Sequence, residues 1–165
     1  MERSKSTSPP IVCGVDGSEE SRRAFHEAAR LATALGTRLE VITAWQYSTS
    51  MYDAYFPDPE RSPKVAAYGT LQDVVAGEFG SEVPDWVHLR AEPGHPGTVL
   101  AAAARGADML VVGSRGLSGL ASPFLGSVSL YCATQAPCPV LVVRPDTEHH
   151  RHAPRVSVQQ EEERA

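Results

Sequence analysis

The residues with the clearest chemical potential lie in one stretch, Gly113-Ser-Arg-Gly-Leu-Ser-Gly-Leu-Ala-Ser-Pro-Phe-Leu-Gly126-Ser127-Val128, which leaves an apolar run and ends where a helical pattern starts. Gly113, Gly116 and Gly119 permit positive φ and close backbone approach. Ser127 is placed to cap the following helix, whose first N–H groups have no internal partners. Such a segment suits an anion. A helix dipole contributes only ~0.3–1 kcal/mol, so charge-assisted bonds of ~1.5–3 kcal/mol each from N–H and hydroxyl groups, Ser114 included, must carry most of the affinity. Arg115 adds a charge. The segment is not the lysine-bearing phosphate loop GxxxxGK[ST], because it holds no lysine, and its glycines recur every three residues rather than as GxGxxG. A second chemical group is Asp16-Gly17-Ser18, which closes an apolar run expected to neighbour the one before Gly113. That neighbourhood puts a carboxylate beside the same crevice, the alternative being that Asp16 simply stabilises its own turn.

The elements that position these groups follow from the hydrophobic pattern. Ile11–Val15 reads as a strand, followed by a helix with Ala24, Phe25, Ala28, Leu31, Ala32 and Leu35 on one face, capped by Ser18 and stopped by Gly36. Leu39–Trp45 is a second strand and Val65–Phe79 a second helix, with Tyr68, Leu71, Val75 and Phe79 turned inward. Trp86–Leu89, Met109–Val112 and Val140–Val143 complete five strands, and Thr98–Arg105 and Ser127–Gln135 complete four helices. The uninterrupted runs Met-Leu-Val-Val and Val-Leu-Val-Val suit strands covered on both faces, so the expectation is an α/β fold with one parallel sheet and helices on each side. Ligands in such sheets bind beyond the C-terminal strand ends, where strand order reverses.

Size and charge narrow the classes. A chain of 165 residues is long enough to bury a core without disulfides or a structural metal. Its net charge of −5 and its only two lysines, Lys5 and Lys64, argue against a nucleic-acid backbone or an anionic membrane as partner. The start of the chain has no apolar signal core and no run reaches the ~18–20 apolar residues of a membrane span, so a cytoplasmic location is expected. Cys13, Cys132 and Cys138 lack CxxC spacing and read as buried free thiols. The folded unit is expected over 9–145, with a flexible start at 1–8 and a disordered tail at 146–165, where eight charged residues and His149, His150 and His152 accompany few bulky apolar ones. The segment 46–63 holds Tyr47, Tyr52, Tyr55 and Phe56 and reads as a long loop, either a lid or packing over the sheet edge.

Four segments together resemble the universal stress protein family over about Pro9 to Pro145: Val12-Cys-Gly-Val-Asp-Gly-Ser18, Ala107-Asp-Met-Leu-Val-Val-Gly-Ser-Arg-Gly116, Leu125-Gly-Ser-Val-Ser129 and Ala136-Pro-Cys-Pro-Val-Leu-Val-Val-Arg144. The ATP-binding branch is marked by Gly-x2-Gly-x9-Gly-[Ser/Thr], matched here by Gly113, Gly116, Gly126 and Ser127. The resemblance implies a sheet of order 3-2-1-4-5. It implies ATP held with Gly113, Ser114, Arg115, Gly116, Gly119, Gly126, Ser127 and Val128 around ribose and phosphates, and with Val15, Asp16 and Ala44 on the adenine side. Asp16 is left open between base, ribose and a magnesium ion brought by the phosphates. Gln135, where many members carry histidine, and Tyr131-Cys132 depart from the family pattern without touching the nucleotide motif. His95 reads as an exposed turn histidine.

With no loop lysine and no evident base near the glycines, the expected function is an ATP-binding, non-enzymatic stress regulator acting as a homodimer through the fifth strand. A slow ATPase and a nucleotide-free interaction module are the alternatives. Valine at both Gly113 and Gly126 is expected to abolish ATP binding and to leave the fold largely intact.

Overall fold

The computed structural model describes residues 8–47, 62–117 and 124–145. Gly119, the aromatic segment 48–61 and the tail 146–165 lie outside the described residues. Five parallel strands, β1 (Ile11–Gly14), β2 (Leu39–Trp45), β3 (Val87–Pro93), β4 (Met109–Gly113) and β5 (Val140–Val143), form one sheet in the order β3-β2-β1-β4-β5. The register sets Cys13 beside both Val41 and Val111. Strand order therefore reverses at β1 and β4, as expected.

Helices α1 (Glu19–Leu35) and α2 (Pro63–Phe79) cover one face of the sheet, while α3 (Pro96–Ala103) and α4 (Ser127–Gln135) cover the other. Alternation along each strand divides the core accordingly. Ile11, Cys13, Val41 and Val111 pack with Phe25, Ala28, Leu71 and Val75 on the first face. Val12, Ile42, Leu110 and Val112 pack with Leu100, Ala104 and Cys132 on the second. Both faces of β1 and β4 are thus dry, the reason their sequences are continuously apolar.

Helix α1 begins as its sequence predicts. Ser18 Oγ accepts the Ser21 N–H at 3.2 Å, and Gly36 ends the helix in the left-handed region at φ 65°. Several expectations need correction. Leu35, at the end of α1, is 60% exposed and Tyr68 on α2 is 44% exposed, because the helical period alone does not show where the sheet beneath ends. Helices α2 and α3 start two residues earlier than expected, each with proline in its first turn, where a missing N–H costs nothing. Strand β3 runs to Pro93 rather than Leu89, since Arg90 and Glu92 pair with Ala44's end of β2 in register and form ion pairs with Glu40 and each other. Cys13 and Cys132 are buried thiols, and burial pushes Cys132 up to about 11, while Cys138 is only half-buried.

Candidate functional site at the ends of the first and fourth strands

Two turns meet beyond the C-terminal ends of β1 and β4. The first, 14–18, is held by side chains of its own. Asp16 Oδ1 accepts the Ser18 N–H at 2.9 Å and the Ser18 hydroxyl at 2.6 Å. The Asp16 N–H donates to Ser21 Oγ at 3.3 Å, and Thr43 Oγ1 donates to the Val15 carbonyl at 2.9 Å, fixing the turn to β2. Gly17 adopts φ 86°, a conformation glycine reaches without steric cost.

The second turn follows β4. The Ser114 N–H donates to the Val143 carbonyl of β5, and the Gly126 N–H donates to the Ser114 carbonyl, both at 2.8 Å, so the two ends of the long connection close on each other at its base. Ser129, buried in α4, donates its hydroxyl to the Gly113 carbonyl at 2.6 Å. These bonds aim the start of α4 at the strand ends. Its N-cap is Gly126, with no side-chain capping bond, and Ser127 is the first helical residue. Ser127 is thus not the cap; the chain enters the helix one residue earlier and leaves the first amides without a side chain over them.

Of the two uses expected of the glycines, close approach and positive φ, the structure shows the first at Gly113 and not the second at Gly113 or Gly116. A Cβ on Gly113 would lie 2.8 Å from the Glu20 carbonyl carbon and 2.9 Å from its oxygen, so Gly113 lets the start of α1 press on the end of β4. Valine there would press on that backbone, which argues against the expectation that the Gly113–Gly126 double change spares the fold. Gly126 sits 3.4 Å, measured from a built Cβ, from the Ser114 carbonyl oxygen and Arg115 Cα, an ordinary contact.

Between the turns lies a crevice of ≈ 190 Å³. Of the residues expected there, Val15, Asp16, Ala44, Gly113, Arg115, Gly116, Gly126, Ser127 and Val128 line it; Ser114 is buried at its base, and Gly119 lies outside the described residues. Sequence reading did not find the opposite wall, made by Ile42, Pro96 and Leu100. A signal existed for it. Ile42 is the β2 partner of Gly14, and the bare Gly14 leaves room for Leu100, whose Cδ1 would lie 2.5 Å from a Cβ there. The crevice is therefore lined by apolar side chains, by the turn after β4 and by the start of α4, with Asp16 and Arg115 as its charged lining residues among those described. His95 is exposed at the N-cap of α3, its ring 6.5 Å from that of Tyr131. No group of three metal-ligating side chains occurs among the described residues, and no helix among them is long and apolar enough to cross a membrane.

This arrangement has relatives. The chain is 34% identical over 140 residues to a universal stress protein of Thermus aquaticus, covering 81% of this chain and 97% of that one. A universal stress protein solved in complex with cAMP is 30% identical, with TM-score 0.58 and coverage of 84% and 98%. The universal stress protein UspA from Lactobacillus plantarum superposes with TM-score 0.69 at 22% identity, covering 82% and 97%, a likeness of fold. The model of the Universal stress protein family matches residues 8–144. With that span and these relatives, the chain belongs to the universal stress protein family.

Proposed function

We propose that the unit 9–145 binds an adenine nucleotide, ATP in particular, in the crevice between the two turns, as a signal rather than as a fuel. The observation that carries this reading is the division of the crevice. Ile42, Ala44, Pro96, Leu100 and Val112 offer an apolar wall for a base, and the uncapped start of α4 offers amides for phosphate oxygens. A relative 30% identical to this chain was solved with cAMP. At about 190 Å³ the crevice is smaller than the ~300–1,000 Å³ of typical ligand pockets. It would enclose the base and ribose and leave the outer phosphates at the rim, a poor place to exclude water for chemistry.

Hydrolysis is expected to be very slow. Efficient phosphoryl transfer needs cation clamps and a group that orients the nucleophile, and Asp16 already accepts three hydrogen bonds. Magnesium would arrive with the phosphates. Asp16 could hold it only through the capacity its carboxylate keeps beyond those bonds, and the ion's contribution would be charge neutralisation at the phosphates. Strand β5 is an edge strand with four half-buried residues, which supports a homodimer through this edge. Light scattering at tens of micromolar is expected to give twice the chain mass, and a monomer would refute the dimer.

The reading is tested at Ser127, an exposed first-turn residue of α4. In Ser127→Asp the new carboxylate favours the helix start by ~0.3–1 kcal/mol while repelling a triphosphate. Titration calorimetry is expected to show ATP affinity reduced by about tenfold or more with no loss of melting temperature. Unchanged affinity, or no ATP uptake by the parent protein at millimolar concentration, would overturn it.

A further inference from the structure

The group that crowds position 116 belongs to Asp16. A Cβ on Gly116 would lie 2.6 Å from Asp16 Oδ2 and 3.7 Å from its Cγ, and apart from its chain neighbours no other heavy atom of the described residues comes within 4 Å. Positive φ does not explain this glycine, because Gly116 has none. The same Oδ2 accepts the Leu117 N–H at 3.0 Å, across 101 residues of chain. The other oxygen is fixed by the N–H and hydroxyl of Ser18, the N-cap of α1. The carboxylate is thus anchored on the first turn, and the second turn rests on it. Its charge is also taken up by three donors, so it stands beside the phosphate-binding amides with less repulsion than a bare carboxylate would exert.

We propose that Asp16 is a positioning residue: its carboxylate seats the Gly116–Leu117 peptide and so sets where the wall of the crevice after β4 stands. The consequence for nucleotide affinity rests on the reading of the crevice given above. The seat itself does not.

The test separates the two. In Asp16→Asn, the amide oxygen can keep both Ser18 bonds, but the amide nitrogen then faces the Leu117 N–H, donor against donor. Amide exchange of ¹⁵N-labelled protein is expected to accelerate at Leu117 by about tenfold and to stay unchanged at Ser21, whose N–H bonds Ser18 Oγ. Gly116→Ala is expected to lower the melting temperature in the parent chain and to have little effect in an Asp16→Ala background, where the colliding oxygen is gone. Should Gly116→Ala fail to fold, the Asp16→Ala/Gly116→Ala double variant is expected to fold like Asp16→Ala alone. Unaltered Leu117 exchange in Asp16→Asn, or an equal effect of Gly116→Ala in both backgrounds, would overturn the seat. ATP affinity in Asp16→Asn is expected to fall about tenfold; unchanged affinity with Leu117 released would overturn its consequence for binding. Absence of ATP binding by the parent chain would instead remove the nucleotide reading and leave the exchange and melting results to decide the seat.

Discussion

The two turns that form the crevice are both rich in glycine, yet glycine answers a different need in each. In the first turn Gly17 supplies a left-handed backbone, and the turn is then satisfied by Asp16, Ser18 and Ser21 around it. In the second turn Gly113 and Gly116 have ordinary φ and are glycine because other parts of the chain press against them: the start of α1 on Gly113 and Asp16 on Gly116. The first turn is held mostly by its own side chains, with Thr43 tying it to β2. The second is shaped by contacts from more than ninety residues away, and its geometry depends on the first.

Changes in the second turn should accordingly cost more than changes in the first. The largest effect is expected for Gly113→Val, which drives branched carbons into the Glu20 peptide; a loss of about 3 kcal/mol in urea unfolding follows from overpacking against backbone that cannot rotate away. A midpoint like that of the parent would mean that α1 can withdraw from β4, and the contrast between the turns would fail. Gly17→Ala comes next. Alanine at φ 86° is strained, and its Cβ would lie 3.1 Å from Thr70 Cγ2, a methyl of a half-buried side chain that must give by a few tenths of an ångström, so about 1–2 kcal/mol is expected in the same measurement. A larger loss than that of Gly113→Val would reverse the order.

The smallest effect lies away from both turns and calibrates them. His26 Nδ1 is 3.0 Å from both Glu78 carboxylate oxygens, joining α1 to α2, and its pKa is raised by that hydrogen bond and by the carboxylate's charge. A raised pKa gives stability that is full below the unfolded value of about 6.5 and is lost as pH rises through the folded value. The pair is solvent-exposed, so the gain is only a few tenths of a kcal/mol. Melting of His26→Ala against the parent is expected to differ slightly at pH 5.5 and to converge by pH 8, and a gap that widens with pH would contradict the sign.

Much of this arrangement was legible in the residues. The apolar runs of β1 and β4 mark their strands almost to the residue, because strands buried on both faces leave no polar interruption, and the equally apolar run of β5 marks the half-buried edge strand. The span of α4 and the Ser18 cap of α1 were equally plain, since both depend on near neighbours. Boundaries at Pro63 and Pro96 were misread because proline is tolerated in a helix's first turn. Leu35 and Tyr68 were assigned to the core on periodicity alone, which cannot say where the sheet ends beneath a helix. Of the site, the glycines, Asp16 and the α4 start were found, while Ile42, Pro96 and Leu100 were not, because their convergence depends on packing between β2 and α3.

Alternating chemistry along the chain therefore determined the elements, their parallel arrangement, and which loops carry the amides and the carboxylate, since these are set by short-range periodicity and backbone preference. Tertiary structure alone decided why Gly113 and Gly116 are there. Steric demands from Glu20 and Asp16 act through space on positions to which no local pattern ties them, so a glycine needed for closeness and one needed for a turn look the same until the chain has folded.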